Sequence, residues 1–157
     1  MSTHKSNTLK ALVLKALETQ LGKSSKIPGS FAIYRFGKAR INLRVTTKKS
    51  GTKYWFDITP VLYEKSMVDF FVYACGSDQD IYVFPMGNMK EMVVNASIGG
   101  INSVPNFTIY TDRHDFEPAG HSESRIPIAR YHNAMDLILS GNCVGKGVSC
   151  SIEPPAR

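Results

Sequence analysis

Residues 39–47 alternate without a break: Arg40, Asn42, Arg44 and Thr46 fall on one side, Ile41, Leu43 and Val45 on the other. A period of two fits a strand with one apolar face and does not fit a helix. Residues 52–59 alternate again, with Tyr54, Phe56 and Ile58 opposing Lys53, Trp55, Asp57 and Thr59. Between them, Lys48, Lys49, Ser50 and Gly51 read as a loop, so the pattern predicts a β-hairpin. A four-residue loop pairs Thr47 with Thr52, Arg44 with Trp55 and Asn42 with Asp57, all four of the latter on the polar face.

Around this pair the period changes. Leu9, Leu12, Val13, Ala16, Leu17 and Leu21 form one apolar stripe over residues 8–21, with Asn7 or Thr8 as cap and Gly22 past the end. Residues 23–29 read as a polar connector. Residues 31–36 are aromatic and β-prone, and Gly37-Lys38 marks a turn. Pro60 stops the second alternating run, and 61–66 reads as a short connection or helical turn. Residues 68–74 and 80–84 are dense apolar runs of the kind found in sheets covered on both faces. A helix is expected over 86–96 with Met89, Met92 and Val93 inward, then a Gly-rich loop over 97–105. An added strand over 107–110 and a last helix over 128–139 complete the reading. With no repeat and no second compositional unit, the expectation is one domain, 1–157, made of a core at 8–96 and a C-terminal extension at 97–157. The fold class is α/β, a central mixed β-sheet flanked by helices.

Charge is segregated. Residues 19–56 hold nine of the 19 basic side chains and none of the 13 acidic ones, so the whole net charge of +6 arises there. Such a concentration points to a polyanion, with nucleic acid the commonest. Arg40 and Arg44 lie about 13 Å apart along an extended strand, close to two phosphate spacings. Lys48 and Lys49 at the loop and Lys53 beyond it extend the set, with Arg35, Lys38 and Lys26 at its margin. Trp55 is placed to stack on a base or to hold Arg44 by a cation–π contact. The expected partner is nucleic acid, DNA ahead of RNA. An acidic protein docking on the same hairpin is the alternative from another class.

Other chemistry is poorly supported. No apolar run approaches the roughly 18 residues a membrane span needs, so no membrane is expected. The first twenty residues are polar and basic, which argues against a secretory signal. Cys75, Cys143 and Cys150 cannot all pair and form no CxxC, which fits reduced thiols in a cytoplasmic protein. Neither a phosphate-cradling GxxxxGK[ST] loop nor a GxSxG elbow is present. His114, His121, His132, Cys143 and Cys150 are spaced seven, eleven, eleven and seven residues apart, too widely for the usual tight ligand pairs of zinc. His132-Asn133 is too short to identify an HNH nuclease, and residues 112–117 read as a solvated mixed-charge turn. Cys75 ends an apolar run and reads as a buried structural thiol.

The order helix, basic hairpin, Tyr54-Trp55-Phe56, Asp69-Phe70-Phe71-Val72-Tyr73 and Ile81-Tyr82-Val83-Phe84-Pro85 resembles the PD-(D/E)xK, or restriction-endonuclease-like, fold. The resemblance covers residues 9–96. It implies metal-dependent DNA cleavage by acidic side chains on adjacent strands, with a Lys beside the attacked phosphate. At the matching position this chain reads Asn42-Leu43-Arg44, which holds Mg²⁺ poorly. The resemblance therefore implies a nuclease-like fold with a degraded metal site that binds DNA and needs no cofactor. A second reading keeps a Mg²⁺-dependent endonuclease with a displaced site, in which Asp57, beside Asn42 across the hairpin, and Glu18 hold the ion and Lys53 or Arg44 meets the phosphate. Restriction-like folds often act as dimers, so a homodimer is compatible with either.

Overall fold

The computed structural model describes residues 2–29, 31–47 and 51–144, with side chains between 7 and 140. Lys48, Lys49 and Cys150 lie outside the described residues, as does the side chain of Cys143.

Two sheets and two helical faces make the architecture. The first sheet contains β1 (Ser24–Lys26), β2 (Ile33–Phe36), β3 (Ala39–Thr46), β5 (Phe70–Cys75) and β6 (Ile81–Pro85), side by side in that order. It is mixed: β3 runs parallel to β5, and every other neighbour is antiparallel. The second sheet is antiparallel, in the order β10 (Ile126–Pro127), β9 (Asp115–Pro118), β8 (Val104–Tyr110), β4 (Lys53–Asp57), with β7 (Ile98–Gly99) also paired to β8.

Helices α1 (Ser2–Leu21) and α4 (Asp136–Val144) cover one face of the mixed sheet. Leu9, Val13 and Leu17 of α1 pack with Ala134, Met135 and Ile138 onto Ile41, Leu43, Val72 and Val83. The predicted stripe is thus the buried face, although α1 begins six residues before its expected start. The other face meets the second sheet. Phe56, Phe107 and Phe116 pack on Tyr73 and Phe84, with Phe56 and Tyr73 ring centroids 4.7 Å apart and Tyr73 and Phe107 5.2 Å. Short helices α2 (Val61–Glu64) and α3 (Met86–Met92) close this layer through Leu62 and Met89. Every residue of β5 is buried, as its unbroken apolar run requires of a strand covered twice.

Several expectations are corrected. Residues 39–47 and 52–59 are strands, but they do not pair with each other. β3 already has β2 on one edge and β5 on the other, so no edge is left for β4, which pairs with β8 instead. Trp55 therefore lies opposite Thr108 and Asp57 opposite Asn106, not opposite Arg44 and Asn42. The tight hairpin is β2–β3. Gly37 adopts a φ of 63° at the first central position of its two-residue turn, the place a type II′ turn reserves for glycine. The connector at 23–29 contains β1, the loop at 97–105 contains β7, and the turn at 112–117 runs into β9. The last helix is split into a 3₁₀ turn at Ala129–Tyr131 and α4. Among the described residues no helix is long and apolar enough to cross a membrane.

Candidate functional site

The basic residues of the 19–56 segment separate into groups with different surroundings. On the β2–β3 hairpin, Arg35 and Arg40 are direct cross-strand partners with Lys38 in the turn between them. Like charges so placed destabilise a hairpin. Arg40 is relieved by Asp69, which accepts from its backbone N at 2.8 Å, Nε at 3.2 Å and Nη2 at 3.1 Å. Arg35 is exposed and makes no ion pair among the described residues.

Arg44 is half-buried and engaged by a carboxylate. Its Nη1 donates to the Asp57 carboxylate at 3.0 Å and to the Asp57 carbonyl at 3.3 Å, joining β3 to the edge of β4. Asn42 is buried and donates from Nδ2 to the Ala32 carbonyl at 3.2 Å. Glu18 accepts from Ser24 Oγ at 2.6 Å and Ser24 N at 3.0 Å, and those bonds hold its carboxyl below the usual glutamate range. Glu18 belongs to the helix that packs with Ile41 and Leu43, whereas the cross-strand neighbours of Asn42, Ile33 and Phe71, face the second sheet. Asp57, Glu18 and Asn42 are therefore not brought together.

Lys53 and Trp55 lie on the outer face of the second sheet, opposite the buried Tyr54 and Phe56. Trp55 is 56% exposed, and Lys53 reaches over the Tyr110 ring, 5.8 Å from its centroid. The Arg125 guanidinium stacks on the same ring at 3.7 Å while pairing with Glu117 at 3.4 Å and Asp115 at 3.8 Å. Tyr110 in turn donates from its hydroxyl to Glu117 at 2.7 Å. Beside these groups opens a cleft of about 540 Å³ whose lining includes Lys53, Arg113 and Arg125 together with Thr52, Tyr110 and Asp112. Arg113 and Arg125 are the residues sequence reasoning missed. They sit in mixed-charge stretches far from residues 19–56, and the β4–β8, β8–β9 and β9–β10 pairings together carry them to Lys53.

The histidines are also rearranged. His114 and His132, 18 positions apart in the chain, bring their ring centroids to 4.3 Å. His132 Nε2 lies 2.8 Å from Asp80 Oδ1, and His114 Nδ1 2.7 Å from the Tyr82 hydroxyl. His121 is elsewhere, with Nε2 at 2.6 Å from the Asn95 carbonyl. Asn133 donates to the Gln79 carbonyl and accepts from Ile81 N, clamping its segment to the start of β6. Cys75 is buried, and that burial pushes its thiol well above the ordinary range, which makes it a poor nucleophile. Compared with known proteins, the chain matches no family model, no curated protein and no solved structure.

Proposed function

We propose that this chain binds nucleic acid, DNA ahead of RNA, through the outer face of its second sheet and the basic β2–β3 hairpin. The observation that carries the reading is that Lys53 and Arg113 line one cleft, and that the strand face holding Lys53 also holds the exposed Trp55. Lys53 and Arg113, from two separate segments, offer point contacts to phosphates, while Arg125 is held by Asp115 and Glu117. An indole two residues from Lys53, on the same strand face, offers a stacking platform worth about 1–3 kcal/mol per base. Arg35 adds a cation with no ion-pair partner among the described residues, at the opposite end of β3.

The same proposal takes the α1-to-α3 core as restriction-endonuclease-like with its metal site converted to structural use. Support comes from Asn42, buried and bonded to a carbonyl, and from Arg44, tied to Asp57. Binding without hydrolysis follows from this. The endonuclease alternative needs two carboxylates around one ion, and Glu18 and Asp57 are each engaged elsewhere.

Trp55 is the only tryptophan in the chain, so its emission reports contact with a base directly. Titration with single- and double-stranded DNA at low salt is expected to quench it saturably. Lys53→Ala and Arg113→Ala should each flatten the log–log salt dependence by about 0.7–0.9. Trp55→Ala, followed by gel shift, should weaken binding about 5- to 150-fold. Arg44→Ala is a poor probe because it also frees Asp57. Lack of retention at low salt rejects the proposal, and a discrete complex with an acidic protein in its place favours the docking alternative.

A further inference from the structure

The pair His114–His132 is built in a way that packing alone does not require. His132-Asn133 is pinned to the start of β6 by four contacts. These are a β-bridge between His132 and Tyr82, Asn133 N to the Ile81 carbonyl at 2.6 Å, Ile81 N to Asn133 Oδ1 at 3.1 Å, and Asn133 Nδ2 to the Gln79 carbonyl at 2.8 Å. Both His114 and Asn133 hold left-handed backbone, φ 55° and 52°, which a non-glycine residue adopts at a cost. The two imidazole rings lie 4.3 Å apart, between the β5–β6 turn, the β8–β9 turn and the segment before α4.

Each ring is oriented through one nitrogen. A carboxylate only accepts, so His132 carries a proton on Nε2, toward Asp80, and in the neutral ring the lone pair is on Nδ1. His114 Nδ1 faces the Tyr82 hydroxyl, which accepts as readily as it donates. With the proton on Nδ1, the lone pair of His114 is on Nε2. Neither His132 Nδ1 nor His114 Nε2 has a hydrogen-bond partner among the described residues. An imidazole held by a carboxylate or hydroxyl at one nitrogen, with the other left bare, is the arrangement that metal-bound histidines show.

We infer that His132 Nδ1 and His114 Nε2 jointly bind one borderline divalent transition ion of the Zn²⁺, Ni²⁺ or Cu²⁺ type, with Asp80 and Tyr82 as the outer partners that orient the rings. The spacing fits. A metal–nitrogen bond of about 2.0–2.1 Å, plus roughly 1.1 Å to the ring centre, sets each centroid about 3.2 Å from the ion. Two such ligands about 90–110° apart then lie about 4.5–5.2 Å from each other, so the observed 4.3 Å needs a few tenths of an ångström of opening. Among the described residues no three His, Cys, Asp or Glu side chains are gathered around a common point, so water completes the coordination. Imidazole selects against Mg²⁺ and Ca²⁺, which prefer oxygen. The bound ion ties the β8–β9 turn to β6 and stabilises the native state by mass action. This inference does not depend on nucleic-acid binding.

The test uses the full chain and Zn²⁺ alone. Calorimetry should find a single high-affinity equivalent, and the thermal midpoint should rise with Zn²⁺ but not with Mg²⁺. In nitrogen-correlated NMR of the imidazole rings, two of the four histidines should move on Zn²⁺ addition, in the unmodified protein. His114→Gln and His132→Gln should each abolish the strong site, Asp80→Asn should weaken it about 10- to 100-fold, and His121→Gln should leave it intact. The inference is overturned if Zn²⁺ moves other rings, if binding survives both glutamine substitutions, or if no ring moves. Because the ring shifts are read on the unmodified chain, misfolding of a variant cannot mask the answer.

Discussion

A charged residue's role is set by what reaches it from elsewhere in the chain. Arg40 and Arg44 look equivalent in the alternating run, yet one meets Asp69 and the other Asp57, 29 and 13 positions away. The Asp57 contact joins β3 to the next strand in the chain, whereas the Asp69 contact depends on β3 lying parallel to β5. Two predictions belong here. Tyr73 is fully buried on the face toward the second sheet, and its hydroxyl has no partner among the described residues. An unpaired buried hydroxyl costs about 1–3 kcal/mol. Tyr73→Phe should therefore raise the urea-unfolding free energy by about 1 kcal/mol, and a loss of stability would reveal a hidden partner. Glu18 has its carboxyl lowered first by the Ser24 hydroxyl and then by the Ser24 backbone. Its folded value lies below its unfolded one, so the stabilisation is present above the ordinary glutamate range and is lost as pH falls through the folded value. Ser24→Ala should flatten that acid-side decline in the urea midpoint.

At the scale of elements, alternation reveals that a segment is a strand and which side is apolar, but not its partner. Tyr54, Phe56 and Ile58 do face a core as their period demands. That core is shared with Phe107 and Phe116, residues beyond the segment that looked self-contained. The deciding fact is that both edges of β3 are occupied, and the occupant β5 lies more than twenty residues downstream. Helix α1 was easier to read because its partner choice does not alter which stripe is buried. Even so, the predicted stripe is slightly wider than the buried one. Leu17 is fully buried, whereas Leu12 is 50% exposed. Leu17→Ala should cost about 2–5 kcal/mol in chemical denaturation, and Leu12→Ala should stay within about 0.5 kcal/mol. Equal losses at the two positions would mean that α1 packs with a different face.

For the molecule as a whole, the residues beyond 96 matter most, because they supply structure that residues 8–96 lack. β8 is the only described strand paired with β4. Phe107 and Phe116 lie over Phe56, Tyr73 and Phe84, and α4 shares the other face of the mixed sheet with α1. The dense apolar runs of 68–74 and 80–84 announce that both faces need cover. Nothing in the period of 97–127 announces that the cover is a second sheet, since its strands are short and interrupted by Gly and Pro. The same segment brings Arg113 and Arg125 to Lys53, so the cleft and the core are completed together. A chain ending at residue 96 should therefore expose the aromatic face of β5 and β6 and leave β4 with both edges open, the condition under which strands associate with one another. Such a fragment should lose its cooperative thermal transition and bind a hydrophobic dye, while adding a separate 97–157 segment restores part of the native signal. A fragment that instead unfolds cooperatively and stays monomeric would show that the mixed sheet finds its cover without β8 and β9.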